Sequence, residues 1–331
     1  MVEKEIIKNK NIFKLWIKIN YLEKMKYLIT LITCITISMA ADGTIGGSTY
    51  FDYSKTDDKS AFNFNRQYFS YAVDMSDDIK FKVIFDVGRS ATDSRLNTYL
   101  KKAQVNYKTS YANVSLGLIG MNTYGVQEKN WGYRFIEKSA IDRYEFSSTA
   151  DIGVGFSRSL IDNLNMSLQV VNGEGFKQPQ GDKYHKISFN TTYGERRLNK
   201  NDGYNTGIVY STEATDSDPT NMISAFGGFA GMGLRLGAEY DMLTIGDTES
   251  SIISVSANYS FMDNKDIFLR YDMYDGDTSV DKDGSSYIIT GILLSCGNGL
   301  SVAPNMRIKS YEDDSKKFDE TEYKVNLQFK F

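Results

Sequence analysis

The 331-residue chain carries 38 Lys and Arg against 42 Asp and Glu, a formal net charge of −4, with one histidine, two cysteines and three prolines among 23 Tyr, 19 Phe and 27 Gly. His185 alone supplies almost no material for His-based catalysis or a His-ligated metal, no cofactor motif is recognisable, and the acidic balance argues against a nucleic-acid partner. The mean hydropathy of −0.38 is too low for a bundle of apolar membrane helices, each of which needs about 20 apolar residues.

In chain order, the first element is an apolar run over residues 27–38, too short to span a bilayer. It follows Lys24 and Lys26 and precedes Ser38, Met39 and Ala40, a small-x-small pattern. This predicts a secretory signal peptide over residues 25–40, cut after Ala40. Met25 is a natural start for it, so residues 1–24 read as a mis-called upstream extension, with a genuine amphipathic arm as the rival. Cys34 invites a lipoprotein reading, but Thr33 before it fits poorly. Removing the seven Lys and three Glu of residues 1–40 leaves 31 basic and 39 acidic residues, a net charge of −8. Cys296 then stands alone, and no intramolecular disulfide can form in the oxidising compartment.

From residue 44 onward the pattern is apolar/polar alternation of period two, the mark of a strand with two unlike faces. Ile79, Phe81, Val83, Phe85 and Val87 interleave with Lys80, Lys82, Ile84 and Asp86. Ala112, Val114, Leu116 and Leu118 repeat the pattern, as do Leu164, Met166, Leu168 and Val170. So do Ile253, Val255, Ala257 and Tyr259, then Ile267, Leu269, Tyr271 and Met273, and finally Tyr323, Val325, Leu327, Phe329 and Phe331. There are about sixteen such runs, most of about 9–12 residues, the length of a tilted bilayer-spanning strand. Residues 222–230 and 286–295 are apolar on both parities, and their faces stay open.

The links add a second signal. Long hydrophilic ones (174–183, 275–284, 311–320) fall on one parity, and short ones (76–78, 109–110, 160–163, 231–232, 262–265, 297–298) fall mostly on the other. The exception is residues 195–202. Long loops on one side, turns on the other and an even strand count predict one all-β domain over residues 41–331, a transmembrane antiparallel β-barrel of about 16 strands. A soluble sandwich would need a buried partner for every apolar face. In a barrel those faces, Phe331 included, meet outer-membrane lipid, and the last strand pairs with the first.

One link is far longer. Residues 121–148 separate the fifth and sixth strands and read MNTYGVQEKNWGYRFIEKSAIDRYEFSS. Structureless loops of this length are usually functional or disordered. This one holds Trp131, Tyr133, Phe135, Ile136 and Tyr144, so it is expected to pack, and in a wide barrel the place to pack is inside.

The segments NFNRQYFSYAVDMSDDIKFKVIFDVGRS (63–90), SLGLIG (115–120), WGYRFIEKS (131–139), ADIGV (150–154) and VAPNMR (302–307) resemble outer-membrane porins, most nearly the phosphate-selective porin O and P type. The likeness is clearest over residues 44–160 and at the C-terminal strands. It implies that the third extracellular loop folds into the lumen and narrows it, the ordinal position of residues 121–148. It also implies a terminal aromatic strand read by the barrel-assembly machinery, and a possible homotrimer.

The parity of each run places Arg66, Lys80, Lys82, Lys102, Lys108, Lys186, Arg235, Arg270, Arg307, Lys324 and Lys330 inward. Asp74, Asp86, Asp151, Glu239, Asp241, Asp272 and Glu322 also point inward. The candidate pore wall is Arg66, Lys80, Lys82, Lys102, Arg235, Arg270 and Arg307. The candidate constriction is Glu128, Lys129, Arg134, Glu137, Lys138, Asp142 and Arg143. These loop charges either create a transverse field that orders small polar solutes or hold the loop in place. Phosphate selectivity asks for a concentrated basic patch, which the net −8 does not favour.

Two other classes need weighing. A barrel enzyme would use His185 beside a carboxylate, yet its parity near the strand's outer end reads as interfacial. An adhesin or structural barrel would have its bore plugged by the long loop. The run DGDTSVDKDG (275–284) lacks the closing Glu and flanking helices of a calcium loop, and reads as an acidic loop bridged to lipopolysaccharide by divalent ions. The expectation is therefore a porin for passive diffusion, with a more specific anion or phosphate channel as the alternative. N-terminal sequencing of the exported protein should return Ala41 as its first residue; another start would remove the cleavage assignment.

Overall fold

The computed structural model describes residues 43–89, 95–216, 218–313 and 318–331. The signal peptide, the upstream extension and the cut after Ala40 lie outside the described residues. Sixteen strands follow in order: β1 (Gly43–Lys55), β2 (Ser60–Asp74), β3 (Ile79–Arg89), β4 (Leu96–Lys108), β5 (Asn113–Gly120), β6 (Ala150–Ile161), β7 (Leu164–Val171), β8 (Lys186–Gly194), β9 (Gly203–Glu213), β10 (Thr220–Gly231), β11 (Leu234–Ile245), β12 (Thr248–Met262), β13 (Lys265–Asp275), β14 (Ser285–Gly297), β15 (Leu300–Tyr311) and β16 (Glu320–Lys330). Two short helices, α1 (Gln127–Trp131) and α2 (Ala140–Arg143), lie between β5 and β6. Among the described residues no helix is long and apolar enough to cross a membrane.

Each strand pairs antiparallel with its sequence neighbours, and β1 pairs with β16, so the sheet is a closed barrel. The seam runs from Ser48 opposite Lys330 to Lys55 opposite Tyr323. Phe331 continues it by exchanging two backbone bonds with Gly47, at 3.0 and 3.1 Å. Alternation then sorts the faces. Ile253, Val255, Tyr259, Ile267, Leu269, Met273, Tyr323 and Phe329 are exposed on the outside, as the periodicity predicts. Asp86, Ser188, Asp241, Arg270 and Asp272 on the inside are almost inaccessible. A sheet of sixteen strands encloses a bore too wide for its own side chains to fill.

Turn chemistry accounts for the short side. Met232 and Gly233 (φ 53° and 77°) and Asn298 and Gly299 (φ 48° and 80°) adopt the left-handed pairs that two-residue hairpins need. Asn163 and Asn264 sit in the same region, at φ 65° and 61°. Residues 195–202 are the long link on this side, and the two-residue link at Gly246 and Asp247 is short on the other.

The two strands without readable faces are now assigned. In β10, Met222, Ser224 and Phe226 point inward and Ile223 and Phe229 outward. In β14, Tyr287, Ile289 and Leu293 point inward and Ile292 outward. Their inward side chains are apolar because residues 121–149 pack on them. The two helices are a difference from the sequence reading, which contains no run with a 3.6 period; at five and four residues they are too short to show one.

Register shifts at Ser159/Ile161, Ser260/Met262 and Ser295/Gly297 adjoin the short turns, and two more bulges break the alternation farther along the strands. Tyr50 faces Arg66 while Phe51 faces Phe64, leaving Asn65 extra in β2. Ile84 faces Lys102 while Phe85 faces Leu100, leaving Lys101 extra in β4.

Cysteines placed at Lys55 and Asp277 should react with an impermeant thiol reagent on intact cells, and cysteines at Asp77 and Asn163 should not. The third outside position expected from sequence, Asp314, lies outside the described residues. Reversed labelling would invert the sidedness of every link.

Candidate functional site

Residues 121–149 enter the bore and lie along the inner wall from β7 round to β16. The root is clamped first. Asn122 donates from its backbone N–H to the Gln169 side-chain oxygen (2.9 Å) and from its amide to the Ser167 hydroxyl (3.0 Å), and accepts the Ser188 hydroxyl (2.7 Å). Further on, Asn130 and Asn205 exchange amide bonds of 2.9 Å in both directions. Helix α1 ends at Gly132, whose φ of 79° is the left-handed closure that glycine takes without penalty. Arg235 packs against the same residue, where a Cβ would come within 2.6 Å of its guanidinium.

Beyond α1 the loop's backbone carbonyls are taken up by wall side chains. Trp131 accepts from Arg235 (3.1 Å) and Asn258 (3.2 Å), Phe135 from Asn326 (3.3 Å), Ile136 from Arg307 (2.6 Å), and Lys138 from Arg270. Between these bonds the aromatic side chains fill the wall. Trp131, Tyr133, Phe135 and Ile136 form one buried cluster with Phe268, Tyr287, Ile289 and Leu293. Val126, Ala140, Ile141 and Phe146 form another with Val209, Met222, Phe226, Leu243 and Ile252. Burying each large apolar side chain contributes roughly 1.5–3 kcal/mol, which together with the hydrogen bonds offsets the ordering of the segment.

One carboxylate fastens the middle of the loop. Glu137 accepts from Arg307 at 3.0 Å, Arg143 at 2.9 Å and the Tyr287 hydroxyl at 3.2 Å. The Arg143 guanidinium also lies 3.6 Å from the centre of the Tyr287 ring. Burial by itself would push the Glu137 carboxyl up, but Arg307, Arg143 and Arg270 outweigh it and hold it below its ordinary value.

The sequence-derived candidates therefore divide. Glu137 and Arg143 face the wall and act as a latch. Arg235, Arg270 and Arg307 point inward as expected; Arg235 stays half-buried beside the loop, but the loop covers Arg270 and Arg307, so the pore-wall assignment is corrected for these two. Arg270 is 1% and Arg307 6% exposed, and Asp272 bonds Arg270 at 2.8 and 2.7 Å. Lys80 pairs with Asp74 at 2.9 Å by the short β2–β3 turn, away from the constriction.

Glu128, Lys129, Arg134, Lys138 and Asp142 form the loop's free edge. Arg134 bridges Glu128 and Asp142, the second at 2.8 Å, and Lys138 stands 3.9 Å from Asp142. Across the opening, Arg66 pairs with the buried Asp86 at 2.6 Å, with Lys101 at 3.7 Å from the same carboxylate. Lys324 lies 3.6 Å from Asp52 and 3.2 Å from Glu322.

Two recesses flank this gap. One of about 300 Å³ lies between Arg134, Glu137 and Lys138 on the loop and Tyr50, Asp52, Arg66, Tyr68 and Lys324 on the wall. The other, of about 1160 Å³, is on the short-turn side and is lined by Lys82, Lys102, Lys129, Arg196 and Arg197 with Glu195 and Asp202. Burial, then the nearby Arg196 and Arg197, lower the Lys129 ammonium from its ordinary value.

The sequence reading missed Lys101, which the β4 bulge turns inward against the alternation. It also missed Arg196 and Arg197, whose one signal is the anomalous length of their link. His185 is exposed in the link before β8, and among the described residues no group of three or more His, Cys, Asp or Glu could hold a metal ion.

Comparison with known proteins bears on the architecture. No protein-family model matches the chain, and no curated protein matches it. Among solved structures, OmpF of Salmonella typhi in complex with daunomycin aligns over 87% of this chain and 97% of its own, with 13% identity and a TM-score of 0.66. The anion-selective porin from Comamonas acidovorans aligns over 88% and 100%, with 11% identity and a TM-score of 0.62. The trimer form of OmpT, an outer-membrane protein of Vibrio cholerae, gives 88% and 100%, 11% and 0.63. At these identities the likeness establishes the 16-strand porin barrel as the fold.

The latch is testable. Glu137→Gln keeps the volume but leaves Arg143 and Arg307 without their carboxylate, and removing one partner of a buried pair costs about 3–5 kcal/mol. Hydrogen exchange should accelerate across residues 121–149 while the strands remain protected. Because the folded carboxyl lies below its ordinary value, the latch is present at neutral pH and is lost only as pH falls through that lowered value. The difference in loop protection between the wild type and Glu137→Gln, in which the intrinsic pH dependence of amide exchange cancels, should therefore be constant from pH 8 to about 5.

Proposed function

We propose that the protein is an outer-membrane porin, an aqueous channel through which small hydrophilic solutes and ions diffuse passively. The observation that carries this is the closed barrel whose inward loop leaves a charge-lined gap between its free edge and β1–β4. A plug would bury that edge completely, whereas the side chains of Glu128, Arg134, Lys138 and Asp142 keep between 13% and 41% of their surface exposed. Solutes cross down their own gradients; the protein supplies a polar path and a narrow section, and no bond is made or broken. Arg134 between its two acids faces Arg66 and Lys101 around Asp86, an arrangement that orients dipolar solutes across the gap. In such a channel the outward apolar face is covered by outer-membrane lipid, and the acidic extracellular links meet lipopolysaccharide.

Export through the signal peptide and insertion by the barrel-assembly machinery follow from the same reading. Assembly as a homotrimer is proposed by likeness to the trimer form of OmpT. The finer reading, a phosphate-selective channel of the O and P type, has support in the five cations of the larger recess. A barrel enzyme has none beyond the shared architecture.

Single-channel recording tests the reading. The purified protein should give steady ohmic currents in KCl, and a silent barrel would make it a structural protein. Deleting residues 127–139 should raise conductance severalfold while the barrel still assembles, since the strands are untouched. Replacing Lys129, Arg134 and Lys138 with Gln should shift the reversal potential toward cation preference, because Glu128 and Asp142 then act without partners. Arg143 is left in place because it belongs to the latch.

A further inference from the structure

The link between β8 and β9, residues 195–202, is the departure from the short-turn rule on its side of the barrel. It is ordered by its own contacts. Glu195 accepts the Arg197 backbone N–H (2.7 Å) and the Asn201 amide (3.1 Å) on its carboxylate, and the Asn205 amide (2.7 Å) on its carbonyl. Leu198 is 3% exposed. It sits where Gly228 leaves room: a Cβ there would lie 2.7 Å from both Leu198 Cδ1 and the Asn130 amide of α1. The link is therefore folded up into the bore and packed beneath the constriction loop.

That packing brings cations from four elements into one recess. Lys82 and Lys102 come from β3 and β4, Lys129 from the constriction loop, and Arg196 and Arg197 from the link. Among the described residues none of the five has a carboxylate within ion-pair distance, unlike Arg66, Lys101, Arg134 and Lys324. Glu195 and Asp202 share the recess, the Glu195 carboxylate bonded by the link's own amides, so the lining keeps an excess of cations, five against two acids. Lys129 is depressed by burial and by the two arginines, and Glu128 and Glu195 offset only part of that repulsion. Guanidinium forks and ammonium groups spread over about 1160 Å³ cannot all reach one small ion.

We propose that this recess binds small organic polyanions, molecules bearing two or more carboxylate or phosphate charges. The β8–β9 link is then a second selectivity element below the constriction loop. This rests on the channel reading. Binding is weak enough for release, since the recess is open to water and a conducting site must also let go.

The test uses the purified full-length protein in planar bilayers. Citrate and glucose 6-phosphate added on the short-turn side should interrupt the KCl current in a concentration-dependent way, and glucose should not. The variants Arg196→Gln/Arg197→Gln and Lys82→Gln/Lys102→Gln should each raise the half-blocking concentration at least fivefold, whereas Lys59→Gln, in the far β1–β2 turn, should leave it unchanged. Heat-modifiable electrophoretic mobility verifies that each variant is folded. Block by citrate alone or by the phosphate ester alone supports the site and assigns its source. Current without block, block unchanged in both double variants, or equal block by inorganic phosphate would overturn the inference. Absence of any current would overturn the channel reading instead, and calorimetric binding of citrate to the detergent-solubilised protein would still support the recess.

Discussion

A peptide group in hydrocarbon has no water to bond, and each unpaired N–H or C=O there costs several kcal/mol. For a chain of strands the consequence is closure: β1 must meet β16, as it does from Ser48 and Lys330 to Lys55 and Tyr323. Closure fixes which parity of every strand faces lipid. It also fixes the size of the interior, since sixteen tilted strands enclose more space than their inward side chains fill. The long loop answers that excess space.

The loop stays where it is because the wall is chemically matched to it. Where it lies, inward positions that a water-filled bore would make polar are Met222, Phe226, Phe268, Tyr287, Ile289 and Leu293. Elsewhere on the same wall, Arg235, Asn258, Arg270, Arg307 and Asn326 satisfy the loop's carbonyls, which burial would otherwise leave unbonded. Apolar contact gives the attachment its strength, and the hydrogen bonds and the Glu137 latch give it a single register. A buried charge set of this kind is a poor source of net stability but a strong penalty against every misaligned arrangement.

With the wall from β7 to β16 committed to holding the loop, the charges left facing water fall into two tiers. At the gap they are paired: Arg134 with Glu128 and Asp142, and Arg66 and Lys101 with Asp86. Paired charges orient a passing dipole without strongly favouring either sign. Below the gap, Lys82, Lys102, Lys129, Arg196 and Arg197 are cationic without such partners. The acidic character of the whole chain therefore says little about the bore, because field at short range follows the nearest charges and more distant ones are screened within about 10 Å.

Alternation by itself determined the strand number, the lipid-facing set and the even, two-sided pattern of links, because a period of two survives in any sheet with unlike faces. The aromatic content of residues 121–148 was enough to send that loop inside. What it packs on was not legible, since β10 and β14 are apolar on both parities and only the folded loop explains the inner one. Lys101 escaped because a single extra residue in β4 reverses the parity that reading depends on. The division of inward arginines was also hidden. Arg66 and Arg270 carry the same strand signature, yet one borders the gap and the other is sealed behind Lys138. That difference depends on where a segment more than a hundred residues away in sequence comes to rest, and such a contact leaves no local periodicity. Outside β10, β14 and the bulges, the sequence determined which side of the wall a residue occupies; only the tertiary structure decided which inward residues still meet water.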